Sequence, residues 1–150
     1  MKKPPLVGLN HVALEVDSVD DALEFYSAVF AFELRGAHKG EDGVLEMAFL
    51  DMGDQFLALS RERHQAPDRN RHFGLVVDDR SSVRDLAAAA GATILDTDFL
   101  DFLDSWGKRI EVVEYRALQF TKAEGVLRSM GLTLEKSAEA VAEINKNGMV

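Results

Sequence analysis

The sequence predicts an α+β fold of two consecutive modules, each a strand, a helix and three further strands, followed by a helical tail. Three observations lead there. The stretch Asn10-His11-Val12-Ala13-Leu14-Glu15-Val16-Asp17 has a counterpart in Arg71-His72-Phe73-Gly74-Leu75-Val76-Val77-Asp78, where a histidine opens an apolar run of strand character and an aspartate closes it. Each copy is followed by a serine with an acid three residues on, Ser18 with Asp21 and Ser82 with Asp85, the spacing of a helix N-cap. Past Tyr115 the apolar residues recur at helical spacing instead of alternating. A strand and capped helix written twice is the mark of an internal duplication, and it makes His11 and His72 equivalent positions.

In chain order, residues 6–16 read as the first strand and 19–32 as a helix whose Ala22, Phe25, Tyr26, Val29 and Phe30 form one apolar stripe. Glycines and charges over 35–43 predict a loop, and 44–50 and 55–60 a hairpin turning near Met52-Gly53-Asp54. Strand alternation puts Leu45, Met47 and Phe49 on one face with Leu57 and Leu59, expected to pack on the helix. Val44, Glu46, Ala48, Phe56, Ala58 and Ser60 are then expected on the opposite face, as the lining of a cavity. Residues 61–71 are a polar linker. The second module follows as a strand over 72–77, a helix over 83–90 stopped by Gly91, and strands at 93–96, 99–103 and 109–115. In the tail, Thr121-Lys122-Ala123-Glu124 is a capping-box sequence, and Leu134, Ala138, Val141 and Ile144 lie near one helical face. Two short amphipathic helices are expected, packed on the domain or on a partner subunit. The boundaries are one domain at 1–116, with modules at about 6–60 and 72–116, and the tail at 117–150.

Composition narrows the function. At 150 residues and 47% hydrophobic, the chain suits one globular domain. A formal net charge of −9 argues against nucleic acid or anionic lipid as partner and favours a small molecule. Cysteine is absent, so a metal would have to take His, Asp or Glu, and no thiol nucleophile exists in the chain. The apolar run after Met1-Lys2-Lys3 ends at Asn10, too short for an export signal or a span, so a cytoplasmic protein is expected.

On a regular strand over 109–115, Arg109, Glu111, Val113 and Tyr115 share one side and Ile110, Val112 and Glu114 the other. Should the modules pair their sheets into one curved surface, Glu111 would face His11 and His72. Two imidazoles and one carboxylate on a divalent ion leave positions open for substrate, water or dioxygen. The same residues also fit plainer roles: a half-buried hydrogen-bonding histidine at a strand start, and an exposed strand carboxylate. Glu46, on the inferred cavity face, is the candidate general base, against a solvated edge residue. Tyr115 is a candidate proton donor, or a ring capping the core with its hydroxyl in water. Arg61, Arg63, Arg69 and Arg71 fit a solvated linker better than an anion funnel, and Trp106 fits a packing role.

The segments Leu9-Asn10-His11-Val12-Ala13-Leu14-Glu15-Val16, Ala22-Leu23-Glu24-Phe25-Tyr26, His72-Phe73-Gly74-Leu75 and Phe102-Leu103-Asp104-Ser105-Trp106-Gly107-Lys108-Arg109-Ile110-Glu111-Val112 resemble the vicinal oxygen chelate superfamily. That group includes glyoxalase I, extradiol dioxygenases, methylmalonyl-CoA epimerases, and fosfomycin- and bleomycin-resistance proteins. The resemblance implies paired β-α-β-β-β modules forming a cup-like mixed sheet, with His11, His72 and Glu111 on its metal-ligand positions. It also implies a homodimer. Members with a fourth ligand place it where this chain has Ala58, whose methyl group cannot bind a metal. Three ligands resemble the extradiol enzymes, with Fe2+ or Mn2+ favoured over Zn2+ or Ni2+, and also the fosfomycin-resistance enzymes. Leu57-Ala58-Leu59-Ser60-Arg61-Glu62 leans to the latter, while Ala13 stands where thiol-transferring fosfomycin proteins carry a catalytic threonine. The leading expectation is an extradiol-dioxygenase-like or glyoxalase-like metal enzyme. The alternatives are a non-catalytic, bleomycin-resistance-like binding protein and a fosfomycin-resistance-type transferase or hydrolase.

Overall fold

The structure, a computed structural model, describes residues 9–62 and 65–149. The start of the expected first strand, at 6–8, lies outside the described residues. The duplication is visible in the topology. The first module contains β1 (His11–Val16), α1 (Val19–Val29), β2 (Leu34–Lys39), β3 (Leu45–Asp51) and β4 (Phe56–Arg61). The second contains β5 (Phe73–Val77), α2 (Arg80–Ala89), β6 (Thr93–Ile94), β7 (Leu100–Leu103) and β8 (Arg109–Glu114). Their sheets have matching strand orders, β1-β4-β3-β2 and β5-β8-β7-β6, with the first and last strand of each module parallel and the rest antiparallel. Among the described residues no helix is long and apolar enough to cross a membrane.

Both helices lie between the two sheets. The stripe of α1 packs on Ala48, Leu50, Leu57 and Leu59 of the first sheet, and its Phe25 ring and the neighbouring Phe30 ring meet Phe102 of β7 at 6.4 Å. Val83 and Ala87 of α2 join the same core, with Leu100, Ile110 and Val112. The Tyr26 hydroxyl, buried in this layer, donates to Asp104 Oδ2 at 2.7 Å. The other Asp104 oxygen accepts from the Trp106 and Lys108 amides at 2.9 and 2.8 Å. Burial first, and then the Asp104 charge, hold the phenol protonated well above its usual range.

Several local expectations are corrected. Residues 34–39 form an edge strand, β2, in place of a loop: its pairing with β3 tolerates the register shifts that flank Gly36 and His38. The phase of β3 is opposite to that expected. Ala48 and Leu50 are the buried residues against α1, because a methyl group fits that close approach, while Met47 and Phe49 stay half-buried on the open face and Leu45 packs on the core only in part. The cap of α2 is Asp79, not Ser82; its carboxylate accepts from the Ser81 and Ser82 amides at 3.0 and 3.4 Å, and a charged acceptor outcompetes a hydroxyl.

The tail forms a 3-10 turn (Tyr115–Ala117), α3 (Glu124–Ser129) and α4 (Ala138–Lys146). Thr121 does not cap α3; the N-cap position falls on Ala123, which has no side-chain acceptor. Instead the preceding Lys122 is drawn to the β3–β4 turn, where its ammonium donates to the Met52 carbonyl at 2.8 Å and pairs with Asp54. At Gly53 (φ +84°) an added Cβ would lie 2.6 Å from a Val126 methyl, so glycine is needed there both for the backbone and for the tail to seat. In α4, Ala140 and Ile144 are the buried pair and Val141 is exposed.

Tyr26→Phe is expected to cost about 1–3 kcal/mol, because Asp104 keeps its burial and loses a donor; chemical denaturation measures it. Contacts with Ser81 and Ser82 lower the Asp79 carboxyl to about 2. Its stabilising contribution is therefore present above the ordinary carboxylate range and lost as pH falls toward about 2. Melting curves should show Asp79→Ala below the wild type at neutral pH, and the two should converge in strong acid.

Candidate metal centre

His11 opens β1 on the face of the first sheet turned away from the helices. Its neighbours on that strand, Leu14 and Val16, are buried in the core, so alternation leaves His11, Ala13 and Glu15 on the open side. The ring is held at two points. Nδ1 lies 2.9 Å from the Asn10 side-chain oxygen, and the imidazole stacks on Phe56, its register partner on β4, with centroids 4.7 Å apart and planes 10° from parallel. Phe49 meets Phe56 edge-on, and the Arg35 guanidinium lies 4.7 Å from the Phe56 centroid. Arg35 is itself fixed by Asp51 and by the Gly53 and Gln55 carbonyls. With Nδ1–H donated to Asn10, Nε2 keeps its lone pair for a ligand.

His72 repeats the arrangement. It immediately precedes β5, and its Nδ1 lies 2.8 Å from the Asn70 carbonyl oxygen, which again makes Nε2 the free acceptor. Glu111, on β8 between the buried Ile110 and Val112, projects to the open face of the second sheet. His72 Nε2 and Glu111 Oε2 are 3.5 Å apart, with both side chains partly open to solvent. Two atoms competent to bind a metal therefore face one another at the surface of the second sheet.

The third predicted ligand is elsewhere. The helices that share the core separate the two open faces, with His11 on one and His72 and Glu111 on the other. Among the described residues no group of three or more His, Asp or Glu side chains could hold a metal within one chain. The sequence leaves open whether one chain or two supply the ligands; within one chain the three do not come together, and the shared core is the reason. Glu46 is also misplaced by the inverted phase of β3: it lies on the same side of the strand as Ala48, folds back against Gly40, and does not share the His11 face. Tyr115 does not extend β8 beside Glu111. It begins the 3-10 turn and is buried beneath the tail, with the Lys136 ammonium 3.5 Å over its ring centroid. Lys136 donates to the Tyr115, Leu118 and Phe120 carbonyls, and burial lowers its pKa. Asp78, Tyr115, Arg116 and residues 133–136 line a cleft of about 390 Å³ there, which none of the three metal-ligand candidates reaches.

Sequence reasoning missed the contacts that Asp101, Arg109 and Phe56 make beside these side chains. Asp101 is 1% exposed and sits opposite Glu111 in the β7–β8 register, where Arg109 Nε reaches its Oδ2 at 2.9 Å. The signal was available: with the turn at 104–108 closing the hairpin, residues 101 and 109 become diagonal neighbours of opposite charge.

Comparison with known proteins agrees with this fold. A family model described as the Glyoxalase/Bleomycin resistance protein/Dioxygenase superfamily matches residues 8–112, and the chain belongs to that superfamily. Solved structures share the architecture. The fosfomycin resistance protein FosX from Mesorhizobium loti superimposes with a TM-score of 0.62 at 16% identity, covering 72% of this chain and 91% of that one. A mutant of FosX from Listeria monocytogenes, complexed with Mn(II) and 1S,2S-dihydroxypropylphosphonic acid, gives 0.62 at 14% identity over 72% and 92%. TioX from Micromonospora sp. ML1 gives 0.53 at 20% identity over 73% and 99%. No curated protein sequence matches the chain.

Phe56→Leu is expected to shift the His11 imidazole resonances through the lost ring current and leave those of His72 in place. Glu46→Gln should move neither. Side-chain NMR of the two histidines checks both outcomes.

Proposed function

We propose that the protein is a divalent-metal enzyme of the fosfomycin-resistance kind, with each centre shared by two copies: His11 from one, His72 and Glu111 from the other. The observation that carries this reading is the matched preparation of the two histidines. Each has Nδ1 engaged by an asparagine oxygen and Nε2 free, and one of them faces a carboxylate at 3.5 Å. The donor set fits Mn2+ or Fe2+, which accept imidazole and carboxylate ligands with positions left over. When bound, such an ion supplies Lewis-acid polarisation of substrate oxygens and a more acidic water.

The pairing of two copies is supported by the apolar character of the His11 face. Met47, Phe49 and Phe56 are half-buried there with no helix of their own module covering them. A second copy, seating its second sheet on this face, would cover them and bring the Glu111 side to His11. Such an interface is isologous and produces two equal centres.

The chain's own residues favour water over a thiol as the added group. Ala13, next to His11 on the open face, has no hydroxyl to assist a thiol, and Ala58, its register partner, leaves an uncharged wall. His11 and His72 would orient a small substrate with neighbouring oxygens, and Glu111 would hold its carboxylate against the partner's imidazole. The fosfomycin-type hydrolase reading is favoured over the extradiol one because neither Tyr115 nor the buried Tyr26 stands beside His72 and Glu111. The Listeria FosX structure, with Mn(II) and a diol phosphonic acid, is consistent with it.

Mn2+ titration and phosphorus NMR of fosfomycin incubated with the Mn2+-loaded protein test the reading. Near-stoichiometric uptake and conversion of the epoxide to the diol are expected. No uptake overturns the metal centre, and tight binding of the compound without metal would point to a sequestering protein. The shared arrangement has a sharper consequence. His11→Ala and His72→Ala should each lose metal binding alone, whereas dissociating and reassociating an equal mixture should restore about a quarter of the sites, since half the dimers then carry one intact centre. No recovery would place all three ligands in one chain.

A further inference from the structure

We infer that Asp101 and Arg109 form a clamp that positions His72, which makes them positioning residues of the proposed metal centre; the inference rests on the role given to His72 above. Arg109 reaches three partners at once. Nε and Nη2 donate to Asp101 Oδ2, the former at 2.9 Å, and Nη1 donates to the Arg69 carbonyl at 2.7 Å. Its backbone amide approaches Asp68 Oδ2 at 3.4 Å. Asp68 in turn takes Arg71 Nη2 at 2.7 Å on its other oxygen, and its amide donates to the Gly107 carbonyl at 2.7 Å. The segment 68–71 is therefore fixed on both sides of Asn70, whose carbonyl accepts the His72 Nδ1–H. Through that one carbonyl the clamp sets both the tautomer and the direction of the imidazole.

The buried end of the clamp explains why it holds. Asp101 is 1% exposed, and its Oδ1 has no hydrogen-bond partner among the described residues. Arg109 is thus the cation that meets a carboxylate withdrawn from water, and letting go would strand that charge. A guanidinium fork spans the carboxylate and the Arg69 carbonyl together, whereas an ammonium is a point charge that serves one or the other. Arg109 also lies two residues from Glu111 on the same face of β8, so the fork ties the support of His72 to the strand that carries its neighbour.

Arg109→Lys tests this, because it keeps the charge for Asp101 and gives up the Arg69 carbonyl. In metal-free protein at a pH where imidazole is neutral, nitrogen-15 NMR should show His72 as the Nδ1–H tautomer in the wild type and as a tautomer mixture in the variant, with His11 unchanged. Mn2+ affinity should fall by about 10- to 100-fold, the range for lost support of a metal ligand. Should Arg109→Lys fail to fold, Asp101→Asn, which keeps the shape of the acceptor, takes the same two measurements. A lower melting temperature with the His72 tautomer and Mn2+ affinity both unchanged overturns the clamp and leaves a purely structural ion pair. A wild type that takes up no metal defeats the proposed function instead, while the tautomer measurement still decides the clamp.

Discussion

The hydrogen bond from Tyr26 to Asp104 joins residues 78 positions apart in sequence, and the rest of the molecule is arranged around the layer in which it lies. On one side α1 covers the first sheet; on the other its aromatic residues reach Phe102 and Trp106 of the second module. A buried carboxylate is tolerated there because three donors converge on it: the phenol and two backbone amides of the turn that it closes. Asp104 thereby fixes the β7–β8 turn and α1 together. Once these are fixed, the helices sit between the sheets, and every side chain on an open face looks outward.

That arrangement accounts for the separation of the candidate ligands. A module with its own helix on one face has a single open face, and two such modules sharing one core keep those faces apart. The half-buried Met47, Phe49 and Phe56 show the cost: the first sheet exposes large apolar side chains that its own chain leaves partly uncovered. On the proposed reading a second copy resolves both matters, covering the apolar face and completing the ligand set.

The repeat, the helical stripe and most strands along the chain were legible in the sequence because they rest on local periodicity, which alternation and capping express residue by residue. Ser18 caps α1 as its spacing announces. What escaped was decided by tertiary contact. Ala48 at the helix contact, against the bulkier Met47 and Phe49 outside it, inverts the naive rule that the larger apolar set faces the core. Asp79 displaced Ser82 because capping strength depends on charge as well as spacing. The pairing of His72 with Glu111 followed from the duplicated histidine and strand parity, but the distance between His11 and that pair could not, since it depends on how the modules share helices. Tyr115 was misplaced for a related reason: the strand ends at Glu114, and the tail's Lys136 captures the Tyr115 and Leu118 carbonyls just beyond it.

The single helical layer also bears on how two copies of one ancestral module can diverge. Phe25 and Phe102 come from different halves yet fill the same space, so neither half retains a private interior. A change of volume at either ring alters the packing felt by the other half, because close-packed cores have few voids to absorb it. The halves have in this way lost their interchangeability: they still resemble each other at the histidines that open them, but their inner surfaces are now complementary instead of alike.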